Sequence, residues 1–149
     1  MTDDEAMTLA LGEARAALAS DDVPVGAVLL AADGSVLGTG LNRREASGDP
    51  LAHAEVEALR AGAAARGGWQ LDGTTLVVTL EPCTMCAGAI LQARVPRVVF
   101  GAWDEKAGAA GSVHDLLRDR RLPHAVEVVA GVRAAESAAL LREFFASRR

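Results

Sequence analysis

Cys83 and Cys86 are the only cysteines in a chain of 149 residues. Three positions apart, they cannot build a disulfide framework. They follow Thr74-Thr75-Leu76-Val77-Val78-Thr79-Leu80, a β-branched run that reads as a buried strand. Pro82 stands directly before them and suits the first turn of a helix, here expected to run to about Ala93. A helix start offers free N–H groups and the positive end of its dipole, and both stabilise thiolates. Residues three apart share a helix face, so both sulfurs can address one ion. One strand-to-helix turn with paired thiols is thereby set, and the rest of the chain must fold around it.

The flanking pattern alternates helix and strand. Thr2 with Glu5 forms a capping-box signature. Ala6, Leu9, Ala10, Ala14, Ala17 and Leu18 then recur at helical spacing, which predicts a helix ending near Ser20. Val25 to Leu30 and Val36 to Leu41 are short apolar runs joined by Asp33-Gly34, a hairpin signal. Asn42 to Pro50 reads as a loop. A helical pattern from Leu51 stops at Arg66-Gly67-Gly68. Val95 to Phe100 and Ala125 to Ala130 read as strands, and Ala134 to Ala146 as an amphipathic helix. Gly101 to Gly111 reads as a loop, and a short helix is expected from Ser112 as its cap. This order predicts an α/β protein with a mixed sheet of about five strands and helices on both faces.

Half the residues are hydrophobic and 23% are charged, which fits a globular chain and excludes a disordered one. No run approaches the ~20 apolar residues of a membrane span, and Met-Thr-Asp-Asp-Glu lacks the basic start of a signal peptide. The net charge of −5, read alone, argues against a polyanionic partner. Its distribution changes that reading. Residues 1–22 hold six acids and one base, whereas residues 94–149 hold ten bases and seven acids. The acidic total belongs to the first helix.

His53-Ala54-Glu55 lies thirty residues before Cys83, also at an expected helix start. With His53 as a third ligand, the cysteines would make a three-ligand metal site whose fourth position is left for water, as in catalytic zinc sites. Glu55 could then take a proton from that water and pass it on. A redox Cys-x-x-Cys pair and a structural zinc site are the alternatives. The first is open from spacing alone. The second is short of ligands, since only three histidines and no further cysteine exist.

Taken together, His-Ala-Glu and Pro-Cys-Thr-Met-Cys resemble the signature of the zinc-dependent cytidine and deoxycytidylate deaminases. Val23-Pro24-Val25-Gly26-Ala27-Val28, Asn42-Arg43, Asp49-Pro50, Thr79-Leu80-Glu81, Arg97-Val98-Val99-Phe100-Gly101 and Gly108-Ala109-Ala110-Gly111-Ser112 extend the likeness. They resemble the bacterial tRNA-specific adenosine deaminases from about residue 5 to residue 147. The resemblance implies a single deaminase domain over residues 1–149, with a three-layer α/β/α cytidine-deaminase-like fold. It implies one Zn²⁺ held by His53, Cys83 and Cys86, with Glu55 as the catalytic proton carrier. The implied reaction is hydrolytic deamination of a wobble adenosine to inosine.

The same resemblance assigns Asn42 and Val25 to the base pocket, Asp104 to a sugar beside the target, and Lys106 and Arg94 to phosphates. Phe144 and Phe145, ~100° apart on one helix, cannot both face a narrow core stripe, so one is expected inside and one free to stack on a base. It also implies a tRNA anticodon stem-loop as partner, a homodimer to which the helix at Ala87 to Ala93 contributes, and a cytoplasmic location. Pro123 and Ala125, on either side of His124, depart from the family pattern and put a tRNA contact there in doubt. Trp103 stands at a variable position and could stack on RNA or simply pack. A free-base deaminase acting on guanine or cytosine would keep the zinc residues and Glu55 without needing a tRNA surface. A silent zinc-stabilised RNA-binding module would have no use for Glu55.

Overall fold

The computed structural model describes residues 1–148. Helix α1 (Asp3–Ala16) opens on the expected capping box: the Thr2 hydroxyl accepts from the Glu5 N–H at 3.1 Å, and the Glu5 carboxylate accepts from the Thr2 N–H at 3.0 Å. A 3₁₀ turn (Ala17–Ser20) follows and ends at Asp21, whose φ of 62° is left-handed. Ala6, Met7, Ala10, Leu11 and Ala14 form the buried stripe. Leu9 and Leu18, expected on that stripe, are each 42% exposed. The burial follows the 7, 11, 14 side of the helix, because the longer Met7 and Leu11 fill the space above the sheet.

The sheet comprises β1 (Gly26–Leu30), β2 (Val36–Leu41), β3 (Thr75–Leu80), β4 (Arg97–Ala102) and β5 (Glu127–Val129) in the order β2-β1-β3-β4-β5. The pairs β1–β2 and β1–β3 are antiparallel, and β3–β4 and β4–β5 are parallel. Strand alternation divides the core in two. Ala27, Leu29, Leu76, Val78, Val98 and Phe100 pack with α3 (Ala54–Arg66) and α4 (Thr84–Gln92). Val28, Leu30, Val77 and Val99 meet α1. Helix α5 (Ala134–Ala146) lies along β4. The layered architecture is the expected one, and no described helix is long and apolar enough to cross a membrane.

Two local expectations fail, both through distant partners. Residues 42–50, read as a loop, contain one helical turn, α2 (Arg44–Ser47). The fully buried Asp22 carboxylate accepts the Glu45 and Ala46 N–H groups at 2.6 and 3.2 Å and so caps that turn from outside it. The short helix expected from Ser112 does not form. The Ser112 hydroxyl is turned to donate to the Asp104 carbonyl, and the His114 N–H that it would have capped donates to the Gly108 carbonyl instead.

α3 lies unusually deep on β2. A Cβ at Gly40 would stand 2.2 Å from the Ala54 carbonyl oxygen, and one at Gly38 would stand 2.6 Å from the Gly62 nitrogen. Only glycine permits this approach, which brings the first turn of α3 down to the sheet end.

Arg97 ties the N-terminal helix to the sheet edge. Its guanidinium donates to both oxygens of Asp3 at 2.8 and 2.7 Å and to Glu127 at 2.9 Å. The hydrogen bond to Arg97 holds the Asp3 carboxyl below its usual range. A depressed carboxylate pKa contributes stability above the unfolded value and loses it as pH falls through the folded value. Asp3→Asn is therefore expected to lower stability by on the order of 1 kcal/mol at pH 7. Thermal melts of the two proteins should converge as the pH falls and the Asp3 carboxylate takes up its proton.

Candidate active site

His53 and Cys83 occupy equivalent positions, the N-caps of α3 and α4, each with extended backbone and neither capping its own helix. At such a position the main chain turns from extended to helical, and the side chain is free to point away from the axis. Cys86 sits one turn into α4 and is buried. His53 Nδ1 lies 3.6 Å from Cys83 Sγ and 3.4 Å from Cys86 Sγ, and all three donor atoms fall within 4.8 Å of one another. A tetrahedral zinc ion with ordinary Zn–S and Zn–N bonds separates nitrogen from sulfur by about 3.5 Å. The spacing and the soft donor set therefore both fit zinc with one position left over. Among the described residues no other His, Cys, Asp or Glu group gathers in this way.

The three donors shift one another's ionisation. The Cys86 thiol donates to Cys83 and, with His53, pulls Cys83 down to about 4, while the same contact and burial push Cys86 up. The hydrogen bond to Cys83 raises His53. A divalent ion bound there would favour both thiolates and a neutral imidazole.

Glu55, in the first turn of α3, is 4% exposed. Burial pushes its pKa up to about 7, and the nearby Cys83 adds to this. The backbone N–H at the helix start pulls the other way, as does the raised His53, and both are outweighed. The result is a carboxyl group that can both hold and release a proton near neutral pH.

His53, Cys83 and Glu55 line a cavity of about 190 Å³ with Val23, Val25, Asn42, Leu80 and Asp104. That volume is below the roughly 300–1,000 Å³ of pockets that engulf drug-sized ligands. A single flat ring can enter while the remainder of a larger molecule stays on the rim. Val25 and Asn42 line its wall and Asp104 is part of the same lining. Asn42 also shapes the adjoining turn, because its amide donates to the Val23 carbonyl and accepts from the Arg44 N–H.

Lys106 is exposed on the Asp104 loop and does not line the cavity. Phe144 is buried under the Arg148 guanidinium, 3.4 Å from the ring centroid, and borders a neighbouring depression that also contains Asn42 and Arg44. Phe145 is 50% exposed, which divides the pair as expected. Trp103 packs edge-on against Phe100. Arg44 and Glu81 also line the cavity but were not singled out in the sequence. Glu81 had one local signal, an acid at the end of an otherwise apolar strand. Arg44 had none.

Over residues 1–102 the chain matches the cytidine and deoxycytidylate deaminase zinc-binding region. It is 47% identical over 147 residues to a tRNA-specific adenosine deaminase of Haemophilus influenzae, covering 99% of this chain and 85% of that protein. It is 51% identical over 142 residues to a tRNA(Ile)-lysidine synthase of Deinococcus deserti; the match covers 95% of this chain but only 26% of that longer protein. A solved structure from a study of A-to-I editing by tRNA:A34 deaminases at the wobble position superimposes with a TM-score of 0.87 at 44% identity. That match covers 92% of this chain and 99% of that one.

The raised acid at Glu55 has a thermodynamic signature. A carboxyl whose folded pKa lies above its unfolded value binds more protons when folded, so stability falls as pH rises from about 4.5 to about 7. Glu55→Gln removes that loss. In metal-free protein the variant should match wild type near pH 4.5 and exceed it at pH 8, by up to about 3 kcal/mol. Denaturant titrations at the two pH values measure the difference.

Proposed function

The chain belongs to the zinc-binding cytidine and deoxycytidylate deaminases and, among them, to the tRNA-specific adenosine deaminases; from that membership we propose that it converts the wobble adenosine of a tRNA anticodon to inosine. In this reading His53, Cys83 and Cys86 hold one zinc ion and Glu55 carries the protons. The observation that carries it is the 3.4–3.6 Å separation of the His53 imidazole nitrogen from two cysteine sulfurs, beside a buried carboxyl that lines a ring-sized cavity.

Zinc bound at these donors supplies a Lewis acid that makes water a nucleophile near neutral pH. Glu55 takes a proton from the attacking water and delivers it to the adenine ring nitrogen next to the reacting carbon. It then passes the second proton to the departing amine. The water oxygen joins that carbon, its bond to the exocyclic nitrogen breaks, and ammonia leaves. Val25 packs against the ring, and the Asn42 amide faces the purine edge. Asp104 at the mouth serves a neighbouring 2′-hydroxyl, which distinguishes RNA from DNA. Lys106 meets phosphate outside the cavity. Phe145 offers its face to a flanking base of the anticodon stem-loop, with Phe144 supporting it from below.

A single deaminase domain over residues 1–149 performs this work, in the cytoplasm where tRNA is processed. A second copy of the chain is the natural cover for the apolar groove between α3 and α4. That groove has a volume of about 540 Å³, is lined by Leu59, Ala63, Leu71 and Ala93, and is flanked by Trp69, which is 60% exposed. An exposed apolar patch rimmed by polar residues marks an interface.

Purified protein given an anticodon stem-loop with a wobble adenosine should form inosine, and free guanine or cytosine should not react. Free-base turnover alone would sink the reading. Glu55→Ala should retain about one zinc per chain by mass spectrometry while activity drops at least about 100-fold. Trp69→Arg should shift sedimentation from dimer toward monomer, with a dimer dissociation constant raised roughly tenfold or more.

A further inference from the structure

We infer that Glu81 is the positioning residue of the substrate loop: its buried carboxylate pins residues 104–112 at both ends and so sets where Asp104 stands at the cavity mouth. The identity of the substrate rests on the proposed function, and the clamp rests on the geometry alone.

Glu81 is 2% exposed and directly follows β3, two residues before Cys83. One oxygen accepts the Asp104 N–H at 2.9 Å. The other accepts the Ala110 N–H at 2.9 Å and the Ser112 N–H at 3.1 Å. The Ser112 hydroxyl closes the loop on itself by donating to the Asp104 carbonyl at 2.8 Å. No Lys or Arg is paired with Glu81 among the described residues, so backbone N–H groups, with the Ser112 hydroxyl beside them, solvate this buried carboxylate.

The loop contains no helix or named strand; besides Glu81 its backbone is tied to Pro82 and Cys83 on one side and to residues 114–116 on the other. The Ala109 N–H donates to the Pro82 carbonyl at 2.8 Å, and Gly108 bridges Cys83. Gly108 has to be glycine: a Cβ there would fall 2.2 Å from the near Glu81 oxygen and 2.2 Å from the Ser112 hydroxyl. One carboxylate therefore couples the strand end that leads into the cysteines to the loop that carries Asp104. It does so without contributing to any helix or to the sheet core.

Two variants perturb the clamp from opposite sides. Glu81→Gln keeps the shape but sets an N–H₂ against a backbone N–H. Gly108→Ala leaves Glu81 intact and wedges it away. In both, amide exchange at Asp104, Ala110 and Ser112 should quicken at least about tenfold, while β3 and β4 stay protected. Zinc should remain at one per chain. KM for the anticodon stem-loop should rise about tenfold with kcat within about twofold, the pattern of lost positioning and not of lost chemistry. Unchanged exchange at the three amides would overturn the inference, as would loss of zinc or a fall in kcat at constant KM. The exchange measurement needs no substrate, so a wild-type protein that forms no inosine would sink the proposed function and leave the clamp to be judged separately.

Discussion

The depth to which α3 settles on β2 governs the site. His53 and Glu55 stand at the start of that helix, and the cysteines arrive from β3 on the far side of β1. Gly38 and Gly40 remove the side chains that would hold the helix off the sheet. A helix raised by the width of one methyl group would lift the imidazole out of range of both sulfurs. The donors are ~2.0–2.3 Å from a shared ion in any workable arrangement, so a shift of about 1 Å is decisive. Backbone packing in the core thus determines chemistry at the end of the sheet.

Within the site, similar surroundings act in opposite directions on two acids. Cys83 and Glu55 both stand at helix starts, where free N–H groups favour the anion. Cys83 is half-buried with a thiol and an imidazole to donate to it, and it ionises readily. Glu55 has the helix start and the raised His53 in its favour, but it is buried and close to the Cys83 charge, so desolvation wins and it keeps its proton to about pH 7. The site therefore holds a readily ionised thiol and a carboxyl that keeps its proton side by side. Neither property belongs to the residue type alone.

Local signals made much of the fold legible. The Thr2–Glu5 box, the Asp33-Gly34 turn, the β-branched run of β3 and the amphipathic α5 are each decided by neighbours a few residues apart. The ligand set was legible for a similar reason: Cys83 and Cys86 share a helix turn, and His-x-Glu thirty residues earlier completes a known pattern. What escaped depends on distant partners. Asp22 caps a turn that begins 22 residues later, and Glu81 holds the Ser112 N–H in a loop where a helix start was expected. Charge behaved likewise. Asp3 and Asp4 of the acidic first helix pair with Arg97 and Arg133. Part of the basic excess of residues 94–149 is therefore spoken for inside the fold and is not free for a partner.

The loop held by Glu81 carries an exposed stretch just after its first fixed point. Glu105, Lys106 and Ala107 are exposed, and two of them receive only the Asp104 carboxylate as an N–H acceptor. Side chains at 105 and 106 can be exchanged without disturbing a strand, a helix or a candidate metal ligand. The rim of the cavity is thus built as a replaceable part on a rigid mount. Changes in which RNA is accepted can accumulate there while the reaction centre, a few residues away along the same backbone, stays as it is.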